Sequence, residues 1–327
     1  MVRLWLSFVI ALGCAGDGGG DGGVTGSDGG SSSGGTANGT ATSMTTSTDG
    51  DGSSGGGTQA SATSAADSSD GSGSSDGSTG ASPGTAGCGI AASDPTMTWS
   101  GHTVDVDGVT REYWVWLPEP YDPARAYPVV YQFHGCSDGD DRWNNNPPVQ
   151  DHSGADAIHV RGKAVASCWD SNPQGPDVIF FDALVADVEA SWCADPEHRF
   201  ATGYSSGSFM THALGCARAD VLRGIASIAG GQPGNDCSGQ VAALLIHDAD
   251  DQTVNISASE SARDSLLARN GCDAAAPTSP IDPSPCEAYA GCGEGYPVVW
   301  CPTAGQDHSR QDGLAAPAFW GFLSSLP

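Results

Sequence analysis

Ser205 stands at the centre of Gly203-Tyr204-Ser205-Ser206-Gly207, a G-x-S-x-G box whose serine hydroxyl could attack a carbonyl carbon. Before it runs Arg199-Phe200-Ala201-Thr202, which reads as a strand, and after it Ser208-Phe209-Met210-Thr211-His212-Ala213-Leu214, which reads as a helix. Small residues two before and two after the serine let the backbone bend sharply between the two elements. The bend lifts the Ser205 hydroxyl clear of a sheet and presents the Ser206 N–H where an oxyanion would form. A Gly/Ser-rich loop produces the same pentapeptide by chance, so the partner residues decide between the two readings.

A serine nucleophile needs a base and an orienting acid, and on a strand–turn–helix serine these follow in the order Ser, Asp, His at strand ends. The apolar strand Val241-Ala242-Ala243-Leu244-Leu245-Ile246 runs into His247-Asp248-Ala249-Asp250-Asp251-Gln252-Thr253-Val254, leaving Asp248, Asp250 and Asp251 open as the acid. The next strand, at 297–301, is followed by Gly305-Gln306-Asp307-His308, and His308 in that loop is the natural base. His247 reads as a structural residue at a strand end and His212 as a histidine on the helix behind the turn. A second oxyanion donor comes from the loop after an early strand. Tyr127-Pro128-Val129-Val130-Tyr131-Gln132-Phe133-His134-Gly135-Cys136 has that shape, and the Cys136 N–H is the candidate.

The elements that must position these groups alternate. Residues 101–106 and 110–117 read as a hairpin around Asp107-Gly108. Strands are expected at 127–134, 156–160, 223–229, 241–246 and 297–301. Apolar residues at 178, 181, 184, 185, 188 and 192 give helical spacing, with Asp177 as N-cap after Pro176. Further helices are expected at 257–269 and 313–325. This alternation implies a mostly parallel sheet with helices on both faces, and the antiparallel start fits an α/β-hydrolase sheet.

At the N-terminus, Arg3 and the apolar run from Leu4 to Leu12 are too short to span a bilayer and fit an export signal. The run ends in Ala11-Leu12-Gly13-Cys14, which resembles a bacterial lipoprotein signal with Cys14 lipidated; an ordinary secretory signal is the alternative. Residues 15–87 are almost all Gly, Ser, Thr, Ala and Asp and cannot offset their ordering entropy, so a disordered tether of roughly 45 Å r.m.s. span is expected. The folded domain is then 88–327. From Cys88 on there are 31 Asp and Glu against 11 Lys and Arg, within a chain of net charge −27, and this excludes nucleic acid and anionic lipid surfaces as partners. Ten cysteines besides Cys14 argue for up to five disulfides. Proximity of loop and strand ends suggests Cys286–Cys292 and Cys272–Cys301.

His134-Gly135-Cys136, Cys168-Trp169-Asp170, the Ser205 box with Phe209-Met210, and His247-x-x-x-Asp251-x-x-Val254 together resemble the secreted feruloyl esterase and polyhydroxybutyrate depolymerase-like esterases, over roughly residues 96–326. The resemblance implies Asp251 as the acid, His308 as the base, an ester substrate, and no metal or organic cofactor. It also implies a feruloyl-esterase-like activity. Polyester depolymerase and acetylxylan esterase are the nearest alternatives, and a non-catalytic binding lipoprotein is a distant one. Trp143, Trp169 and Tyr204 are expected near the cleft. Asp248 replaces the usual glycine, Ser208 a second glycine after the serine box, and Asp307-His308-Ser309-Arg310 the usual G-H-x-W.

Overall fold

The computed structural model describes residues 84–232, 234 and 237–327. The signal, Cys14 and the tether as far as residue 83 lie outside the described residues. The domain begins a few residues earlier than expected, because Thr85 N–H donates to Ala194 O at 3.2 Å and Gly87 N–H to Glu189 O at 2.8 Å.

Strands β1 (Trp99–Val106) and β2 (Val109–Trp116) form the expected hairpin. They lead by antiparallel pairing into β4 (Ile158–Gly162), which lies beside β3 (Tyr127–Phe133). From there β5 (Ala194–Tyr204), β6 (Gly224–Ile228), β7 (Ala242–Asp248) and β10 (Val298–Thr303) continue in parallel. Two short strands close the ten-stranded sheet: β9 (Glu287–Ala288) pairs antiparallel with β10, and β8 (Ser279–Pro280) pairs antiparallel with β9.

The side-chain period of two sorts the core onto two faces. Val129, Tyr131 and Phe133 of β3 and Ala243 and Leu245 of β7 join one apolar cluster, under helices α2 (Pro176–Ser191), α3 (Ser206–Ala217) and α4 (Ser257–Asn270). Val130, Leu244 and Ile246 point the other way, against α5 (Asp312–Leu323), and the small helix α1 (Gln150–Ser153) lies on that side. Helices on both faces of a parallel sheet are the architecture the alternation implied.

Asp177 is not the N-cap of α2. Gly175 takes that place with Pro176 at the first helical position. Asp177 instead turns inward, where its Oδ1 accepts from the buried Arg111 guanidinium at 2.7 Å.

The disulfides are Cys88–Cys193, Cys136–Cys168, Cys216–Cys237, Cys272–Cys292 and Cys286–Cys301. The expected Cys286–Cys292 and Cys272–Cys301 pairs are wrong. β8 and β9 fold back along β10 and bring Cys286 against Cys301, which leaves Cys272, just past α4, to meet Cys292. Five disulfides place the domain in an oxidising, extracellular setting.

Three histidines are buried in the neutral form. Burial pushes His134 down to about 4 and His159 and His212 to about 3. Below pH 6.5 the unfolded chain takes up protons that the folded one refuses, so stability falls as pH drops from 6.5 toward 3. Each histidine contributes up to about 1.4 kcal/mol per pH unit inside that window. Urea titrations at pH 7, 5.5 and 4 are expected to give a steadily falling unfolding free energy, and a flat profile would contradict the buried neutral assignment.

Candidate active site

Ser205, Asp251, His308, Cys136 and Ser206 come together at the carboxyl ends of the parallel strands, where open α/β sheets place their crevices. β5 ends at Tyr204, α3 starts at Ser206, and Ser205 between them has φ 53 and ψ −118. That conformation is costly for a residue with a side chain. It is enforced by close packing: a Cβ on Gly203 would lie 2.0 Å from Gly207 O, and one on Gly207 would lie 1.8 Å from Phe133 O. Only hydrogen fits at either place, and α3 is thereby pressed onto β3.

Asp251 lies in the loop after β7 and His308 in the loop after β10. His308 Nδ1 is 2.7 Å from Asp251 Oδ2, and His308 Nε2 is 2.9 Å from Ser205 Oγ. With the Nδ1 proton donated to the carboxylate, Nε2 is left to accept from the serine hydroxyl. The other oxygen of Asp251 accepts from the N–H groups of Thr253 and Val254, both at 2.8 Å. Burial raises the Asp251 carboxyl, but the bonds from His308, Val254 and Thr253 outweigh it and hold the group below the ordinary carboxylate range. Asp250 points to Gly305 N–H instead, and Asp248 binds other donors on the His308 loop. His247 braces the acid from behind: its Nε2 is 3.3 Å from Asp251 Oδ2 and 2.8 Å from Val254 O, and its Nδ1 is 2.6 Å from Ser259 Oγ. His212 sits under the turn, 2.9 Å from Ser227 Oγ.

Cys136 and Ser206 both line the cleft at Ser205. The Cys136 loop is held in several ways that the sequence did not reveal. Cys136 is bonded to Cys168, the Trp169 N–H donates to Ser206 Oγ at 2.9 Å, and Trp169 Nε1 donates to His134 O at 3.0 Å. His134 Nδ1 donates to Gly135 O at 2.8 Å, while its Nε2 accepts from Ala164 N–H at 3.1 Å. The neutral imidazole is thus a fixed part of the loop. Behind it, Asp177 links the Asp170 N–H, at 2.7 Å, to Arg111.

The cleft has a volume of roughly 820 Å³, and its lining includes the apolar Tyr204, Phe209 and Val254 and the polar Asn145 and Arg310. Of the three aromatics expected there, only Tyr204 lines it. Trp169 is core, 6% exposed, and Trp143 stacks on Trp114 with ring centroids 4.3 Å apart. Arg310 stands two residues past the base, tied to Asp312 at 2.9 Å and Asn146 O at 3.3 Å.

No family model matches the chain. Feruloyl esterase D of Neurospora crassa is 30% identical over 269 residues, covering 73% of this chain and 90% of that protein. Feruloyl esterase C of Emericella nidulans is 30% identical over 257 residues, covering 72% and 90%. The chain belongs to the feruloyl esterase family. Membership makes it a carboxylic ester hydrolase of the serine type. A poly(3-hydroxybutyrate) depolymerase of Ralstonia pickettii is 30% identical over a shorter stretch, 46% of this chain and 34% of that protein. Among solved structures, an acetyl xylan esterase from Aspergillus awamori superposes with a TM-score of 0.57 at 14% identity, covering 69% of this chain and 99% of that one. The feruloyl esterase module from Clostridium thermocellum complexed with sinapinate gives 0.51 at 14% identity, covering 70% and 87%. Both share the α/β-hydrolase fold.

Asp251→Asn is expected to lose up to ~10⁴ in kcat, because an amide that donates toward Nδ1 favours the wrong imidazole tautomer. Asp250→Asn should lose less than about tenfold, since its carboxylate touches neither His308 nor Ser205. Steady-state kinetics of the two variants check the assignment, and the reverse order would move the acid by one residue.

Proposed function

We propose that Ser205, His308 and Asp251 are the catalytic triad of a feruloyl-esterase-like enzyme that releases acyl groups from plant polysaccharide. The continuous contact from Asp251 through His308 to Ser205, at 2.7 and 2.9 Å, carries this reading. His308 Nε2 takes the Ser205 proton as Oγ attacks the ester carbonyl, and Asp251 stabilises the imidazolium that results. The N–H groups of Cys136 and Ser206 receive the oxyanion; losing one such donor typically costs ~10²–10³ in rate. His308 then protonates the leaving alcohol, and water repeats the sequence on the acyl-serine to release the acid. The apolar lining residues Tyr204, Phe209 and Val254 suit a flat aromatic acyl group, and the family relatives favour the same substrate class. The depolymerase relative keeps a polyester substrate as the second reading. Export ahead of a lipid on Cys14 would hold the domain at a bacterial surface.

Ser205→Ala is expected to leave the fold intact and to retain less than about a tenth of wild-type kcat, since triad removals usually cost far more. The substrate class is tested with methyl ferulate, p-nitrophenyl acetate and hydroxybutyrate oligomers. Methyl ferulate should give the highest kcat/KM, and preference for the oligomers would favour the polyester reading instead.

A further inference from the structure

Asp248 is the last residue of β7, in register with Thr303 of β10, and is 1% exposed. Its Oδ1 accepts from the N–H groups of Asp250 at 3.0 Å and Asp307 at 3.2 Å. Its Oδ2 accepts from Thr303 Oγ1 at 2.9 Å and Gln306 N–H at 3.0 Å. Burial alone would raise this carboxyl, yet the four donors hold it below the ordinary range, so the group stays ionised. Thr303, Gln306 and Asp307 all belong to the segment that delivers His308.

That segment has bonds of its own, Ser309 N–H to Asp307 O at 2.9 Å and Gln311 Nε2 to Thr303 Oγ1 at 2.9 Å, yet its backbone takes unfavoured conformations. Gly305 has φ 76, Asp307 φ 53 and Gln311 φ 45. Left-handed backbone is unfavourable for a residue with a Cβ and persists only where surrounding contacts over-determine it. Here the contacts come from carboxylates reaching across between the two loops. Asp250 Oδ2 accepts from Gly305 N–H at 2.8 Å, and in return Asp307 Oδ1 accepts from Gln252 N–H at 3.1 Å. The loop carrying the acid and the loop carrying the base are thereby laced together on both sides of the Asp251–His308 contact. Positions 248 and 307 are two places where the family resemblance expects glycine. A glycine at 307 would adopt its positive φ at no steric cost, whereas Asp307 needs the anchor that Asp248 supplies to its N–H.

We propose that Asp248 is a positioning residue for the reaction, holding the 303–308 segment so that His308 reaches Asp251 and Ser205 together. The proposal rests on the triad reading, and the two fail separately: a Ser205→Ala variant that keeps its activity ends the triad reading whatever Asp248 does. Displacing a catalytic group by about 1 Å can cost on the order of 10² in rate. In the full-length protein, Asp248→Ala is therefore expected to lower kcat about 10- to 100-fold per folded molecule, with KM changed less than about twofold. The downfield proton resonance of the His308–Asp251 bond should be lost or broadened with it. Asp248→Asn, whose amide oxygen still accepts from two donors, should fall between Ala and wild type. Asp250→Ala, at an exposed position, removes only the Gly305 bond and should cost several-fold in kcat without a change in folding. Full kcat in Asp248→Ala, or an unchanged downfield resonance, overturns the proposal. Should Asp248→Ala not fold, full kcat in both Asp248→Asn and Asp250→Ala overturns it equally.

Discussion

The closest constraint in the molecule is steric: the first turn of α3 lies so near the end of β3 that Gly207 has no room for a methyl group against the Phe133 carbonyl. Everything at the site is referred to that contact. It fixes the entry angle of α3, which forces Ser205 into its left-handed backbone and turns its hydroxyl outward. It also brings the loop after β3, with Cys136, alongside the start of α3, with Ser206. Ser205, Ser206 and Cys136 are thus placed by one backbone approach.

The partners are placed by different means. Asp251 and His308 come from loops with no regular structure, and polar contacts take over where packing ends. On the Cys136 side the adjacent N–H groups of Asp170 and Trp169 donate to Asp177 and to Ser206 Oγ in turn, and Asp177 is anchored in a buried ion pair with Arg111. Removing one partner of such a pair commonly costs ~3–5 kcal/mol, because the other charge is left stranded. On the His308 side, aspartates accept backbone N–H groups across the gap between two loops. The strongly acidic composition of the domain thus has an inward-facing share, in which carboxylates serve as acceptors for loop backbone.

Much of this was legible in the sequence because it is local. The elbow, its strand and its helix are contiguous, and β7 and β10 are short apolar runs with their catalytic loops directly behind them. Resemblance and the alternation of side chains along the loop both favour Asp251 over Asp248 and Asp250, and all three carboxylates are committed and differ in what they bind. What escaped depends on distant returns of the chain. β8 and β9 have two residues each and no pattern to read, so the pairing of Cys286 with Cys301 was hidden. Asp177 looked like a cap because Pro176 precedes it, but proline at the first helical position moves the cap back to Gly175 and frees Asp177 for Arg111. Residue type fits Trp169 equally to the cleft and to the core, and the fold uses both it and Trp143 for packing.

Cys136 has two attachments of different kinds: it lines the cleft that holds Ser205, and its sulfur is joined to Cys168, next to the tryptophan that bonds Ser206. Final shaping of the cleft is therefore a redox event as well as a folding event. In a reducing cytosol the loop after β3 would lack its covalent tie to Cys168. Oxidation supplies that tie, so the shape of the cleft depends on the redox state of the compartment in which the chain folds.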